Sequence, residues 1–302
     1  MPARARSLTG RHLLALGAGV LAISFAAPLI RLAEAPALAI AAVRLGLAAP
    51  PMLVLGLATG GRVEWRRLSR PEALLLLLSA VALAAHFGFW VASLQRTSVV
   101  ASVALVTMQP LFVAAGGWAF LGERPSRATL AGAGVAMAGA LLLVAPHAGD
   151  GGTLAGDAFA LVGGVMSGCY LLAGRGARRR LSTAAYTGAV YPMTAVVLFA
   201  VVAVSGTPLT GHPREAYVAM ALLALVPQLV GHNALNWALG SLPAAVVAVA
   251  ILGEPIGAAV ISIPLLGETP DAVEVAGGAV VLFGVYLALR DARALDAAPP
   301  EV

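Results

Sequence analysis

The sequence contains no lysine, a single cysteine and few charged residues of any kind. Only 11% of its 302 residues are charged, against about a quarter in ordinary soluble domains, and 60% are hydrophobic. Because so few charges could not cover the surface of a packed soluble core, the composition excludes a soluble globular protein. The single Cys169 excludes a disulfide framework and a metal site built from several thiolates.

Motifs of nucleotide-driven pumps and of membrane-embedded enzymes are missing as well. A phosphate-binding GxxxxGK[ST] loop requires a lysine, and neither HExxH nor GxSxG occurs in the chain. The sequence therefore favours a protein that is not an enzyme and that uses neither a cofactor nor a metal. An intramembrane enzyme is the least favoured alternative.

Apolar runs long enough to cross a bilayer occur ten times. A transmembrane helix needs about 20 mostly apolar residues to span about 30 Å of hydrocarbon. The predicted spans are 12–31, 36–58, 72–93, 98–121, 127–146, 156–174, 183–205, 216–238, 243–265 and 271–289. We interpret the first as a retained helix rather than a signal peptide, since nine further spans follow it. The predicted fold class is an all-α polytopic membrane protein.

The arginines are distributed unevenly between the two sides of the membrane that these spans define. When the loops alternate between sides, 15 arginines fall on the side of both termini, and the other side holds only Arg31, Arg96 and Arg214. Positive charge is enriched in cytoplasmic loops, which predicts cytoplasmic termini and a location in the inner (cytoplasmic) membrane. The net charge of +5 and the cluster Arg178 to Arg180 follow from this topology, and we expect no nucleic-acid partner.

The chain contains an internal repeat of five spans. Pro110 to Glu123 matches Pro255 to Glu268, because each proline lies 13 residues before the glutamate of a Leu-Gly-Glu triplet. The same offset of 145 residues relates Gly132 to Gly277 and Gly139 to Gly284. Earlier in the chain the offset is 146 residues, as between His86 and His232. The predicted repeats are residues 1–147 and 148–302. Since five is odd, the second repeat enters the membrane from the opposite side, and such inverted repeats recur in secondary transporters.

These motifs carry a family resemblance that covers nearly the whole chain. The carrying segments are Ser93-Leu94 and the small residues after it, Gln109-Pro110, Leu121-Gly122-Glu123, Glu254-Pro255 and Leu266-Gly267-Glu268. In them the sequence resembles EamA-type members of the drug/metabolite transporter superfamily. The resemblance implies ten helices in two inverted EamA repeats around a central cavity. It also implies transport, often export, of amino acids or other small metabolites.

Glu254 lies near the middle of the ninth predicted span, where an ionisable group is costly. Pro255 follows it, and its ring removes a backbone donor, which predicts a break in the helix. The carboxylate could bind a proton or a substrate amino group, or it could only support the helix break. The corresponding Gln109 and Pro110 are neutral, so in this pair only the second repeat can titrate.

The third predicted span carries a polar stripe. His86, Trp90 and Ser93 follow one another at i, i+4 and i+7, which places them on one face of a helix. A polar face within the membrane should lie against protein or a water-filled cavity, and we favour a cavity wall over an ordinary hydrogen-bonded core histidine. His86 joins Glu254 as a candidate for proton coupling.

The eighth predicted span is too polar to face lipid. His232 and Asn236 share one helical face, while Asn233 and Trp237 share a neighbouring one. We expect this helix to form another wall of the cavity.

Other polar residues are also candidates for the cavity. Arg44, within the second span, could attract a substrate carboxylate or extend towards a lipid headgroup. Ser24 and Tyr170 occupy matching positions of the two repeats and offer further hydrogen bonds, and Gln109 is a further candidate for the cavity. Glu123 and Glu268, at the ends of their spans, are interpreted as structural.

The favoured function is a secondary transporter of small metabolites, such as amino acids, working by alternating access and coupled to protons. A channel or a scaffold for another membrane protein is the alternative, although neither needs an inverted repeat. The expected partners are the lipid bilayer, a small-molecule substrate and protons, and the sequence indicates no oligomeric state.

Overall fold

The computed structural model describes residues 9–96, 102, 105–106, 108–144, 153–267 and 272–294, and no β-strand occurs among them. The helices are α1 Gly10–Ile23, α2 Ala26–Leu32, α3 Ala37–Ala58, α4 Gly61–Arg66, α5 Arg70–Leu94, α6 Gln109–Leu121, α7 Arg127–Val144, α8 Leu154–Ala177, α9 Thr183–Ser205, α10 Arg214–Leu223, a π-helical segment Ala224–His232, α11 Asn233–Leu239, α12 Ala244–Ile251, α13 Glu254–Leu266 and α14 Ala272–Ala294.

Among the described residues, seven helical stretches are long and apolar enough to cross a membrane. They are Gly10–Leu32, Ala37–Ala58, Arg70–Leu94, Leu154–Ala177, Thr183–Ser205, Arg214–Leu239 and Ala244–Leu265. Three shorter apolar helices, Gln109–Leu121, Arg127–Leu142 and Val275–Leu289, correspond to the remaining predicted spans. Those predicted spans, 98–121, 127–146 and 271–289, extend into residues outside the described ones. The chain is therefore a multi-pass membrane protein.

Two of the long stretches are interrupted near their middles. The first breaks at Ser24 and Phe25, between α1 and α2. Pro28 lies four residues after Ser24 and has no N–H for the Ser24 carbonyl, which explains this break. The apolar run over 12–31 alone had predicted a continuous helix. The other break separates α12 from α13 directly before Glu254 and Pro255. Both breaks lie beside the cavity described below.

The stretch Arg214–Leu239 contains a π-helical segment. It covers Ala224–His232 and includes Pro227, which cannot donate to the preceding turn. Stretches of π-helix are rare and occur often at functional sites, because the wider turn changes the directions of the following side chains. Here it presents Gln228 and His232 towards the centre of the molecule.

Packing between the two halves of the chain is reciprocal. Helix α5 packs on α8, and the repeat-related pair, α1 with the π-helical segment and α11, also packs together. Helices α3 and α9, which the repeat relates to each other, form one contact, and α7 and α14 form another. The pattern is that of two equivalent halves that exchange under a two-fold axis.

Glycines allow the closest of these crossings. A β-carbon on Gly132 would lie 2.6 Å from the carbonyl oxygen of Gly284, and one on Gly139 would lie 2.8 Å from that of Gly277. The 145-residue offset pairs Gly132 with Gly277 and Gly139 with Gly284. In the structure the contacts are crossed, so that Gly132 lies against Gly284 and Gly139 against Gly277. Small residues let membrane helices approach backbone to backbone, so this crossing of α7 and α14 depends on them.

Candidate functional site

A central cavity lies between the two halves of the chain. Its volume is about 80 Å³, and it is bordered mostly by apolar side chains. The polar groups in its wall are Arg44, His86, Gln109, Ser167, His232 and Glu254. They come from both halves of the chain.

Arg44 is the buried cation of this wall. Its side chain is only 2% exposed, and its Nε donates a hydrogen bond to Oε1 of Gln228 over 2.9 Å. The guanidinium carbon lies 4.0 Å from the centre of the Phe87 ring, in a cation–π contact. Among the described residues, no acceptor reaches its Nη1 or Nη2. The structure therefore holds Arg44 inside the protein with its outer edge unpaired.

His86 and Trp90 form a stacked pair in the cavity wall. Their ring centres lie 5.7 Å apart and their planes are 7° from parallel. His86 Nδ1 lies 2.9 Å from the carbonyl oxygen of Gly163, and because a carbonyl only accepts, Nδ1 carries a proton. This leaves Nε2 of His86 as the nitrogen that can gain or lose a proton.

The two helix breaks meet at one edge of the cavity. Ser24 Oγ donates to the carbonyl oxygen of Val20 over 2.7 Å and lies 3.2 Å from that of Glu254. The Ser24 side chain also packs directly on Gly257, one turn beyond Glu254. Ser24 itself is fully buried, whereas Glu254 and Pro255 line the cavity. Interrupted helices of this kind form the substrate and ion sites of many transporters.

A layer of buried tyrosines and amides lies next to the cavity. Tyr170 and Asn236 exchange two hydrogen bonds, of 2.9 Å from the hydroxyl and 2.7 Å from the amide. Tyr191 donates to Oδ1 of Asn233 over 3.2 Å. The Tyr170 ring lies 6.3 Å from that of His232, which does line the cavity. Tyr170, Asn233 and Asn236 thus support the wall from behind.

The cavity lining does not include Ser93, Pro110 or Trp237, nor does it include Ser24, Tyr170, Asn233 or Asn236, all of which were singled out from the sequence. Ser93 is buried and donates to the carbonyl of its own turn at Trp90 over 2.7 Å. Pro110 is buried at the start of α6. Trp237 is 40% exposed, and its ring centre lies 5.1 Å from that of His12 near the beginning of α1. Trp237 therefore belongs to one end of the helix bundle.

Three residues of the site were not anticipated from the sequence. Gln228 orients Arg44, while Phe87 and Ser167 line the cavity. A signal for Gln228 was present, since an amide directly after a proline inside an apolar span is unusual. Phe87 and Ser167 are common types in membrane helices, and their positions follow only from the packing.

Polar contacts link several helix ends around Glu123. Arg175 Nε lies 2.7 Å from Glu123 Oε1, and the backbone N–H of Ala244 donates to Oε2 over 3.3 Å. Arg175 also donates to the carbonyl oxygen of Leu239 over 3.0 Å. These bonds tie the ends of α6, α8 and α11 to the start of α12. The corresponding Glu268 lies outside the described residues.

Comparison with known proteins shows the family to which the chain belongs. The model of the EamA-like transporter family matches the chain twice, at residues 9–145 and 154–290. No curated protein sequence matches it. A solved structure titled only "Crystal structure of protein" is 21% identical, covers 94% of this chain and 98% of that one, and has a TM-score of 0.77, which shows a shared fold. Because the two family matches together span most of the sequence, the chain belongs to the EamA-like transporter family.

Proposed function

We propose that the protein is a secondary transporter that moves small metabolites, amino acids or related compounds, across the inner membrane. The observation that carries the proposal is the central cavity, whose polar groups come from both halves of the chain and lie beside two broken helices. Membership of a transporter family agrees with this. Export is the proposed direction.

The proposed topology has ten spans in two inverted repeats, residues 1–147 and 148–302, with both termini in the cytoplasm. The reciprocal packing of α5 on α8 and of α1 on the eighth span supports an inverted two-fold relationship. The concentration of arginines on the side of the termini supports the orientation.

Alternating access supplies the mechanism. We take the Glu123 end of the bundle, cytoplasmic in this topology, to be the closed one, held by the bonds of Glu123 to Arg175 and to the start of α12. Two halves of similar structure can exchange conformations, which would open this end and close the other around the same cavity. Substrate bound beside Arg44 and Glu254 would then face each side in turn.

Proton coupling is assigned to the groups of the wall that can titrate. Glu254 lines the cavity at a helix break, and His86 presents Nε2 while Gly163 holds Nδ1. A group that releases its proton when substrate binds couples the movement of substrate to the movement of protons.

Flux in proteoliposomes tests the proposal. Purified protein is reconstituted and exposed to a panel of radiolabelled amino acids, carboxylic acids, amines and nucleosides, with and without an imposed pH gradient. Saturable flux that unlabelled substrate inhibits is expected of a transporter, and accumulation that requires the gradient is expected of proton coupling. Flux that rises linearly with concentration would indicate a channel, and flux equal to that of protein-free liposomes would indicate a scaffold.

A further inference from the structure

The buried polar atoms without partners around the cavity are all hydrogen-bond donors. In the described part of the chain, the buried side-chain nitrogens and oxygens that lack a partner are Arg44 Nη1, Arg44 Nη2, Trp90 Nε1, Gln109 Nε2 and Gln228 Nε2. A buried donor left unpaired costs free energy, so native proteins pair nearly all of them. Arg44, Trp90 and Gln109 line one cavity. A cavity walled by unpaired donors fits a ligand that brings acceptor oxygens.

The geometry of Arg44 specifies the kind of acceptor. Its Nε is occupied by Gln228, so the guanidinium is oriented, and Nη1 and Nη2 are buried without a partner. A planar guanidinium edge matches a carboxylate, which accepts two parallel hydrogen bonds from it. Phe87 covers one face of the guanidinium at 4.0 Å, which excludes water from that side. The fixed, dry edge of Arg44 is therefore prepared for a carboxylate.

The remainder of the wall limits the charge and character of the ligand. Glu254 lines the same cavity, and its carboxylate would repel an anion with two negative charges such as a phosphate. Most other lining side chains are apolar, among them Ile23, Leu235 and Leu252. These features favour a single carboxylate joined to an apolar body.

We propose, on the basis of the transporter function above, that the substrates are small carboxylic acids whose carboxylate is bound by Nη1 and Nη2 of Arg44. Trp90 Nε1 and Gln109 Nε2 supply further donors to the same group. An amino group on the substrate is not required by this site. Compounds that lack the carboxylate, such as amines and amides, leave the Arg44 charge buried and unpaired and are poor substrates.

A matched set of ligands tests the proposal on the unaltered protein. The acids are leucine, phenylalanine, 4-methylpentanoate and benzoate, and each is compared with its carboxamide, which has the same shape without the charge. Binding to the purified protein is measured by thermal stabilisation and by flux competition in proteoliposomes. We expect acids to bind and their amides to bind about 10- to 100-fold more weakly, as for loss of a charge-assisted hydrogen bond.

The outcomes separate this proposal from the proposed function. Saturable flux of amines or amides without flux of acids would overturn the carboxylate site and leave the transporter standing. Binding of acids without saturable flux would overturn the transporter function and leave the carboxylate site standing. Equal binding of acids and amides, or binding of no acid, would overturn the carboxylate site.

Variants of the wall extend the test. Arg44→Gln should lower the affinity for acids about 10- to 100-fold and abolish the preference for acids over amides. Arg96→Gln is the matched control, because Arg96 also lies over an aromatic ring, Phe159 at 5.3 Å, but outside this cavity. Trp90→Phe keeps an aromatic ring beside His86 and removes the Nε1 donor together with the second ring, so weaker acid binding is expected, and it tests the site even where the Arg44 variant fails to fold. Unchanged acid binding in Trp90→Phe and Arg44→Gln would overturn the proposal.

Discussion

The hydrogen bond from Arg44 Nε to Gln228 Oε1 joins residues that are 184 positions apart and that belong to different halves of the chain. Gln228 lies on the π-helical segment and is fully buried. The orientation of the buried guanidinium is thus set by the opposite repeat. A rearrangement of the two halves would change the position of Arg44 and with it the cavity.

Gln228→Glu is expected to weaken the binding of transported acids at least about tenfold. The new carboxylate would lie within 3 Å of Arg44 and pair with it permanently, so a substrate carboxylate would have to compete with it. The KM of flux in proteoliposomes measures the effect. Gln95→Glu makes the same chemical change at a residue outside the cavity, where Gln95 bonds the carbonyl of Ala35, and should leave the KM unchanged. An unaltered KM in Gln228→Glu would show that Arg44 does not bind the substrate.

Gly139→Val is expected to destabilise the protein by about 1–3 kcal/mol or more, because overpacking forces backbones apart. A β-carbon at this position would lie 2.5 Å from the backbone nitrogen of Val281 on α14. Gly134→Val, on the same helix, is the control, since a β-carbon there meets nothing within 4 Å. Thermal unfolding in detergent followed by circular dichroism compares the two. Equal midpoints for both variants would contradict the close crossing.

The general plan of the molecule was accessible from the sequence because it depends on local patterns. Apolar runs predicted membrane spans, and the glycine register indicated the internal repeat. The resemblance to EamA transporters is confirmed by the family match. A residue such as Glu254 can be recognised from the sequence alone, since charged residues are rare within membrane spans.

Relationships between distant segments were not accessible in the same way. Helical periodicity grouped Trp237 with Asn233, but depth along the helix decides its environment, and Trp237 lies close to the helix end beside His12. The break at Ser24 follows from the missing N–H of Pro28, which a count of apolar residues does not detect. The contact of Arg44 with Gln228 depends on a π-helical turn that no residue pattern specifies.

Glu123→Gln is expected to loosen the closed end of the bundle. The change removes the charge that pairs with Arg175 over 2.7 Å and weakens the bond to the N–H of Ala244. In a Cys169→Ser background, Ala244→Cys reports access, because Ala244 is fully buried in the closed arrangement. Loss of about 1 kcal/mol of closure should raise the labelling rate by a membrane-impermeant thiol reagent about fivefold.

The control for this experiment is Glu72→Gln. Glu72 also pairs with an arginine, Arg180 at 2.9 Å, but Arg180 is largely exposed and contributes little to closure. A glutamine can keep the cap that Glu72 gives to the start of α5. If both variants label at the same rate, Glu123 does not hold this end shut.

Glu254→Gln is expected to abolish accumulation driven by a pH gradient while leaving exchange of labelled for unlabelled substrate measurable. The amide has nearly the shape of the carboxyl group but cannot carry a proton between the two sides of the membrane. Flux and counterflow in the same proteoliposomes separate the two activities, and flux in the variant should lose its dependence on pH. Glu34→Gln, an exposed position outside the cavity wall, should behave as the unaltered protein. Gradient-driven accumulation that persists in Glu254→Gln would move the coupling to His86, whose Nε2 is the other titratable site of the pair proposed here.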